Sequence, residues 1–261
     1  MTRLDRLSSL LEGLAPKIEL NDEPTGHALH ILVDEKVKSL QFSPDKTMLL
    51  FCPSNSGLPC LQKTLNECTD KEWNPWMTFS ISFNGPVAYL FEAECKQPFQ
   101  IYLDSADSSL VQIVQLIVEE HIQARCGHPI LMRRAGDILF VGLLRYLVAH
   151  PQRNAGLFFA LSHPQIAKSV VAMHSDTAKE WSLELLAEEA GMSRTSFATH
   201  FKKIMHITPK KYLENIRLRN VHELIAAGHT LQQAAVKTGY SSASTLARAL
   251  SRYRAAAATE A

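Results

Sequence analysis

The spacing of apolar residues changes along the chain, and each change marks a different kind of element. Residues 2–13 carry leucines at helical spacing and are closed by Gly13 and Pro16. Short runs rich in β-branched and aromatic residues follow at 27–33, 37–42, 47–51, 78–83, 87–95 and 99–103, parted by turn clusters such as Ser43-Pro44-Asp45 and Asn84-Gly85-Pro86. These predict strands of a small antiparallel sheet or barrel. From Ser105 the period becomes helical again, with Leu110, Ile113, Val114, Ile117 and Val118 in residues 107–125 and Leu131, Ile138, Val141, Leu144 and Leu147 in residues 129–149. With so little chain between them, the two helices can pair antiparallel.

Beyond residue 160 one pattern occurs twice. Ser182-Leu183…Ala187…Gly191 and Thr230-Leu231…Ala235…Gly239 share a Ser/Thr-Leu-x-x-x-Ala-x-x-x-Gly spacing at an offset of 48, while Phe197 and Phe201 answer to Leu246 and Leu250 at an offset of 49. The second turn is therefore one residue longer. In each copy a helix with small residues ends at a glycine able to take φ > 0, and a second helix follows with apolar residues at i and i+4. Ser193 is placed to cap the first of these second helices, and Ser241 or Ser242 the other. Two such helix-turn-helix units in one chain predict two elements that enter DNA grooves.

Charge follows the same division. The net charge of +1 conceals thirteen Lys and Arg against eight Asp and Glu in residues 165–261, and fourteen against eighteen in residues 1–164. The basic part is the part with the repeat, as expected of a nucleic-acid-binding module joined to a domain with another task. No segment has the length or flanks of a membrane span or signal peptide, which predicts a cytoplasmic protein that does not engage a membrane. The five cysteines (Cys52, Cys60, Cys68, Cys95 and Cys126) contain no C-x-x-C pair and read as reduced thiols.

The C-terminal stretch resembles the DNA-binding domain of AraC/XylS-type transcriptional regulators. The residues that carry the likeness are Trp181-Ser182-Leu183-Glu184-Leu185-Leu186-Ala187, Gly191-Met192-Ser193, Phe197…Phe201-Lys202-Lys203, Thr208-Pro209…Tyr212-Leu213, Arg217-Leu218 and Gly239-Tyr240-Ser241-Ser242-Ala243-Ser244. More loosely, Gly136-Asp137-Ile138-Leu139-Phe140-Val141 and His163-Pro164-Gln165-Ile166 resemble parts of the cupin-like sensor branch of that family. The resemblance implies an α+β protein of two domains: a cupin-like antiparallel β domain with paired helices at 1–160 (sheet about 20–104, helices about 106–150), serving effector binding and dimerisation, and an all-α double helix-turn-helix domain at 161–261. It implies a linker helix over about 209–227, with Arg217 pinning the two units together. With Phe197 and Phe201 on the core, helical geometry turns Thr195, Thr199, Lys202 and Lys203 outward and leaves Ala198 at the edge. By family position Thr195, Ala198 and Thr199 meet base edges, while Lys202, Lys203 and Arg194 are placed for phosphates; in the second unit, anchoring on Leu246 and Leu250 turns Ser244, Thr245, Arg248 and Arg252 outward, Arg248 to where a guanine contact is expected.

One departure stands out. Leu250-Ser251-Arg252-Tyr253-Arg254 runs into an Ala-rich end where the family has a turn and a further supporting helix. With leucines in place of phenylalanines at 246 and 250, the second unit is expected either to read DNA weakly or to serve only to position phosphates, so that truncation after Leu250 should harm binding less than Thr199→Ala with Lys202→Ala.

For the N-terminal domain the expectations are narrower. His27 and His30 lie three apart on a strand, point to opposite faces and cannot share a metal, so neither a metal nor another cofactor is expected. Trp73, Trp76, Tyr89, Phe91 and Tyr102 are candidates for an aromatic pocket or for plain core, and Cys52 and Cys60 for a redox switch. Taken together the residues predict a non-enzymatic, sequence-specific transcription regulator, grouped with activators while activation and repression both stay open. Its expected partners are double-stranded promoter DNA, RNA polymerase, a small effector or redox signal, and a second copy of the chain. The alternative is an ungated architectural or interaction protein.

Overall fold

The computed structural model describes residues 5–21, 26–34, 42–54 and 73–260. The predicted strand at 37–42, all but Phe42, and Cys60 and Cys68 lie outside the described residues. The chain divides into two compact units, one of Pro16–Phe83 and Glu92–His150, the other of Met1–Ala15, Asn84–Phe91 and Pro151–Ala261.

In the first unit β1 (Pro16–Leu20), β2 (His27–Asp34), β3 (Thr47–Cys52), β4 (Trp73–Phe83) and β5 (Phe99–Tyr102) form an antiparallel sheet of order β1-β4-β2-β3-β5. The register sets His30 across from Leu50 and Thr78. Because side chains alternate, Ala28, His30 and Leu32 share one face with Leu50, Cys52 and Thr78, while Leu29 and Ile31 share the other with Leu49, Phe51, Met77 and Phe79. Almost every side chain of β2 and β3 is buried, which is why those stretches read as unbroken apolar runs. His30 Nδ1 sits 2.8 Å from Thr78 Oγ1, and His27 stacks on Phe51 on the opposite face. The helices α3 (Ser108–Gln123) and α4 (His128–Ala149) pack as a hairpin. Asp107 caps α3 by accepting the Leu110 N–H at 2.9 Å. At its other end the buried Glu120 carboxylate accepts from Arg125 at 2.8 Å and fixes the turn into α4.

One predicted strand is a helix. Residues 87–95 were expected to be extended, yet α2 spans Ala88–Glu94. The buried positions Val87, Leu90, Phe91 and Cys95 follow i, i+3, i+4 spacing, and Ala, Leu and Glu favour the helix over the strand suggested by the aromatics.

The second unit gathers three parts of the sequence, unlike a contiguous division at residue 160. Its α1 (Ser8–Leu14) buries Leu10 and Leu14. The Arg6 guanidinium donates to the Leu161 carbonyl at 3.0 Å at the end of α5 (Leu157–Ser162), and the Gly85 N–H donates to the Leu14 carbonyl at 3.0 Å. Phe91 meets Phe158 edge-on, with ring centroids 6.0 Å apart. The five aromatics considered for one pocket are therefore divided: Tyr89 and Phe91 belong to this unit, and Trp73 faces Tyr102 within the sheet unit. From α6 (Pro164–Ser175) onward the unit is helical, through α7 (Leu183–Ala190), α8 (Arg194–Met205), α9 (Pro209–Ala226), α10 (Leu231–Lys237) and α11 (Ala243–Glu260). Among the described residues no helix is long and apolar enough to cross a membrane.

Candidate nucleic-acid interface

The first helix-turn-helix is built by caps. Ser182 accepts the Leu185 N–H at 3.1 Å to start α7, Gly191 ends it at φ 63°, and Ser193 accepts the Ser196 N–H at 3.3 Å to start α8. Phe197, Phe201 and Ile204 hold α8 to the core, where Phe201 meets the Tyr212 ring edge-on at 5.6 Å. That anchoring leaves Thr195, Thr199, Lys202 and Lys203 exposed and Ala198 half-buried. The five residues expected to face a groove thus lie along one side of α8. Lys202 and Lys203 have no ion-pair partner among the described residues. Thr199 returns its hydroxyl to the Thr195 carbonyl at 2.9 Å, which leaves its methyl and its remaining acceptor capacity outward. Arg194 differs from the others: its guanidinium lies 2.8 Å from Glu184, and this hydrogen bond holds the Glu184 carboxyl below its ordinary pKa. The pair ties the start of α8 to α7.

In the second unit Thr230 and Gln233 form a reciprocal capping box at the start of α10. Of the two serines considered for capping α11, Ser242 is the one that accepts the Thr245 N–H, at 3.1 Å. Leu246 and Ala249 are buried, while Leu250 is only half-buried. The small core of Leu218, Val221, Ala234, Ala235, Leu246 and Ala249 is completed by Leu224, Leu231, Tyr240, Leu250 and Tyr253. Tyr253 accepts from Arg219 Nε at 2.9 Å, and that guanidinium also lies 4.6 Å above the Tyr89 ring. So α11 runs unbroken to Glu260, and its own Tyr253 supplies packing where a separate supporting helix was missed. Ser244, Thr245, Arg248 and Arg252 are exposed. Arg252 reaches Glu214 of α9 at 3.7 Å, whereas Arg248 has no partner among the described residues.

Between the units, α9 is the spacer. Thr208 caps it by accepting from Lys211 N–H, and Pro209 occupies its first turn, where a missing N–H costs nothing. From its middle Arg217 donates to the carbonyls of Thr177 and Lys179, each at 2.7 Å, to Ala178 at 3.3 Å and to Gly239 at 3.5 Å. One guanidinium therefore joins the segment before α7 to the turn of the second unit. Sequence reasoning passed over Lys210 and Lys211. Their signal was available: two cations in the first turn of a helix oppose its dipole, which makes their presence there a cost to the helix itself.

The chain is similar to the following known proteins. Residues 186–260 match a family model described as a helix-turn-helix domain. The HTH-type transcriptional regulator AlkR of Acinetobacter baylyi is 37% identical over 117 residues, 44% of this chain and 38% of that protein. A putative AraC-like transcription regulator of Streptomyces lividans is 27% identical over 152 residues, 57% of this chain and 50% of that one. The chain thus spans half or less of the length of these curated relatives. A solved structure of ToxT from Vibrio cholerae O395 aligns with 90% of this chain and 88% of its own at 11% identity, with a TM-score of 0.37. The capped pair of helix-turn-helix units and the arginine that joins them fall on the matched span 186–260, so the C-terminal region of this chain holds a helix-turn-helix domain, similar in sequence to AraC-like transcription regulators.

Proposed function

We propose that the chain is a sequence-specific, DNA-binding transcription regulator whose N-terminal unit answers a small effector. The observation that carries this reading is the outward row Thr195, Ala198, Thr199 and Lys202 on α8 together with Arg248 on α11, in two units that Arg217 of the spacer joins by reaching the segment before α7 and the Gly239 turn. Reading helices about 34 Å apart enter successive major grooves on one side of B-DNA. Thr195, Ala198 and Thr199 face base edges, Arg248 a guanine, and Lys202, Lys203 and Arg252 the phosphates, Arg252 by exchanging Glu214 for them. Arg194 contributes through the surface it shares with Glu184. In this reading the chain binds and does not catalyse, works in the cytoplasm, and meets promoter DNA and RNA polymerase.

Leu131 and Ile138, one heptad apart on α4 and exposed at 36% and 49%, favour a second copy of the chain as a further partner. Redox gating through Cys52 is the weaker form of the idea, since that thiol is 2% exposed and direct oxidation needs an accessible thiolate.

Selection of bound fragments from genomic DNA, followed by gel-shift titration, tests the reading. A defined site should emerge, and Arg248→Ala should relax discrimination at one base pair by about 1–3 kcal/mol. Uniform binding that weakens steeply with salt and is indifferent to Arg248→Ala would overturn it in favour of an architectural protein.

A further inference from the structure

Between the two helix-turn-helix units lies a groove of about 1190 Å³, ample for a small organic molecule. Its composition does not suit a phosphodiester strand alone. Leu186 and Leu213, both buried, form part of an apolar floor, while Lys202, Lys210 and Arg252 stand on the walls. Tyr240 also lines the groove; its hydroxyl is buried with no hydrogen-bond partner, and burial pushes its pKa up to about 12. At that pKa it remains a donor, and a buried donor left unpaired is costly. The acid in the groove, Glu214, is shared between Lys211 at 3.3 Å and Arg252 at 3.7 Å, so the cations outnumber it.

We propose that this groove is a ligand site for an amphiphilic monoanion, a compact apolar body bearing a carboxylate or sulfonate, and that its occupant competes with DNA. The apolar body rests on Leu186 and Leu213. The anionic head takes the place of Glu214 at Arg252, and a small turn of the Tyr240 ring brings its orphan hydroxyl out to donate to the same head. Competition follows from shared residues: Thr199, Lys202 and Arg252 border the groove and also face DNA, so one set of side chains cannot serve both partners. The second half of this statement rests on the DNA-binding reading above; the first does not.

The test uses the full chain and the fluorescent anion 8-anilinonaphthalene-1-sulfonate. One dye should bind per chain, Tyr240→Phe should weaken it about tenfold through the lost charge-assisted hydrogen bond, and Lys210→Glu should weaken it several-fold. Lys168→Glu, an exposed charge change on α6, should not. The selected duplex should expel the dye, and the dye should raise the apparent Kd for that duplex without altering its saturation level. Dye affinity unchanged by Tyr240→Phe and Lys210→Glu would overturn the site, as would dye retained at saturating duplex. A chain that binds no duplex yet shows the variant-sensitive dye signal would overturn the DNA reading and uphold the groove.

Discussion

Gly191 and Gly239 occupy equivalent places in the two turns and share a left-handed backbone, at φ 63° and 75°, but their surroundings differ. A Cβ on Gly191 meets nothing within 4 Å, whereas one on Gly239 would collide with the Ala178 carbonyl and come within 2.9 Å of the Arg217 guanidinium. Gly191→Ala should therefore cost only the strain of a left-handed alanine, about 1 kcal/mol. Gly239→Ala must also displace Arg217, and should cost about 3 kcal/mol once a broken buried hydrogen bond is added. Urea denaturation of the two variants decides the matter, and equal losses would refute the assignment of Arg217 as the joint between the units. Arg217→Lys sharpens the point. An ammonium cannot span carbonyls on two segments as a planar guanidinium does, so this substitution should lose about 2 kcal/mol although the charge is kept.

Elements whose period and punctuation agree were legible in the sequence. Ser193 announces a helix start in the C-terminal region and makes its cap bond in the structure, where Ser182, Thr208 and Thr230, not singled out as caps from the sequence, do the same. The outward row of α8 followed from fixing Phe197 and Phe201 inward. Residues 88–94 were missed because Val, Tyr and Phe together mimic a strand, while the decisive clue, burial at Val87, Leu90, Phe91 and Cys95, depends on packing partners far away in sequence. The groove was hidden for a similar reason, since Leu186 and Leu213 come from two helices and Tyr240 from the turn between two others. At this scale one expectation changes. Truncation after Leu250 was expected to be mild, yet it removes Tyr253 from the core of the second unit and Arg252 from Glu214. It should weaken binding to a selected duplex more than tenfold, as a lost aromatic anchor of a few kcal/mol implies. Truncation after Tyr253 should leave affinity within about twofold, the range of an ordinary surface change. Gel-shift titration of the two truncations distinguishes a helix end that packs from one that merely trails.

Over the whole molecule, each compact unit holds a histidine, His30 buried and His174 half-buried, that its surroundings keep neutral. In the sheet unit His30 pairs with Thr78, and burial lowers its pKa to about 4; in the other unit His174 lies 2.7 Å from the Tyr212 hydroxyl, and burial lowers it likewise to about 4. Both folded values lie below the ordinary 6.5, so the unfolded chain binds more protons throughout that window. Stability is then complete above pH 6.5 and falls as the pH drops toward 4, by up to roughly 1.4 kcal/mol per pH unit for each histidine. Because each histidine belongs to its own unit, the losses should be separable. Hydrogen exchange followed down through this window should show His30→Gln flattening the acid slope for β2 and β4 amides while leaving α8 and α9 unchanged, and His174→Gln doing the reverse. If either substitution flattened both slopes, the two histidines would report one cooperative unfolding unit instead of two.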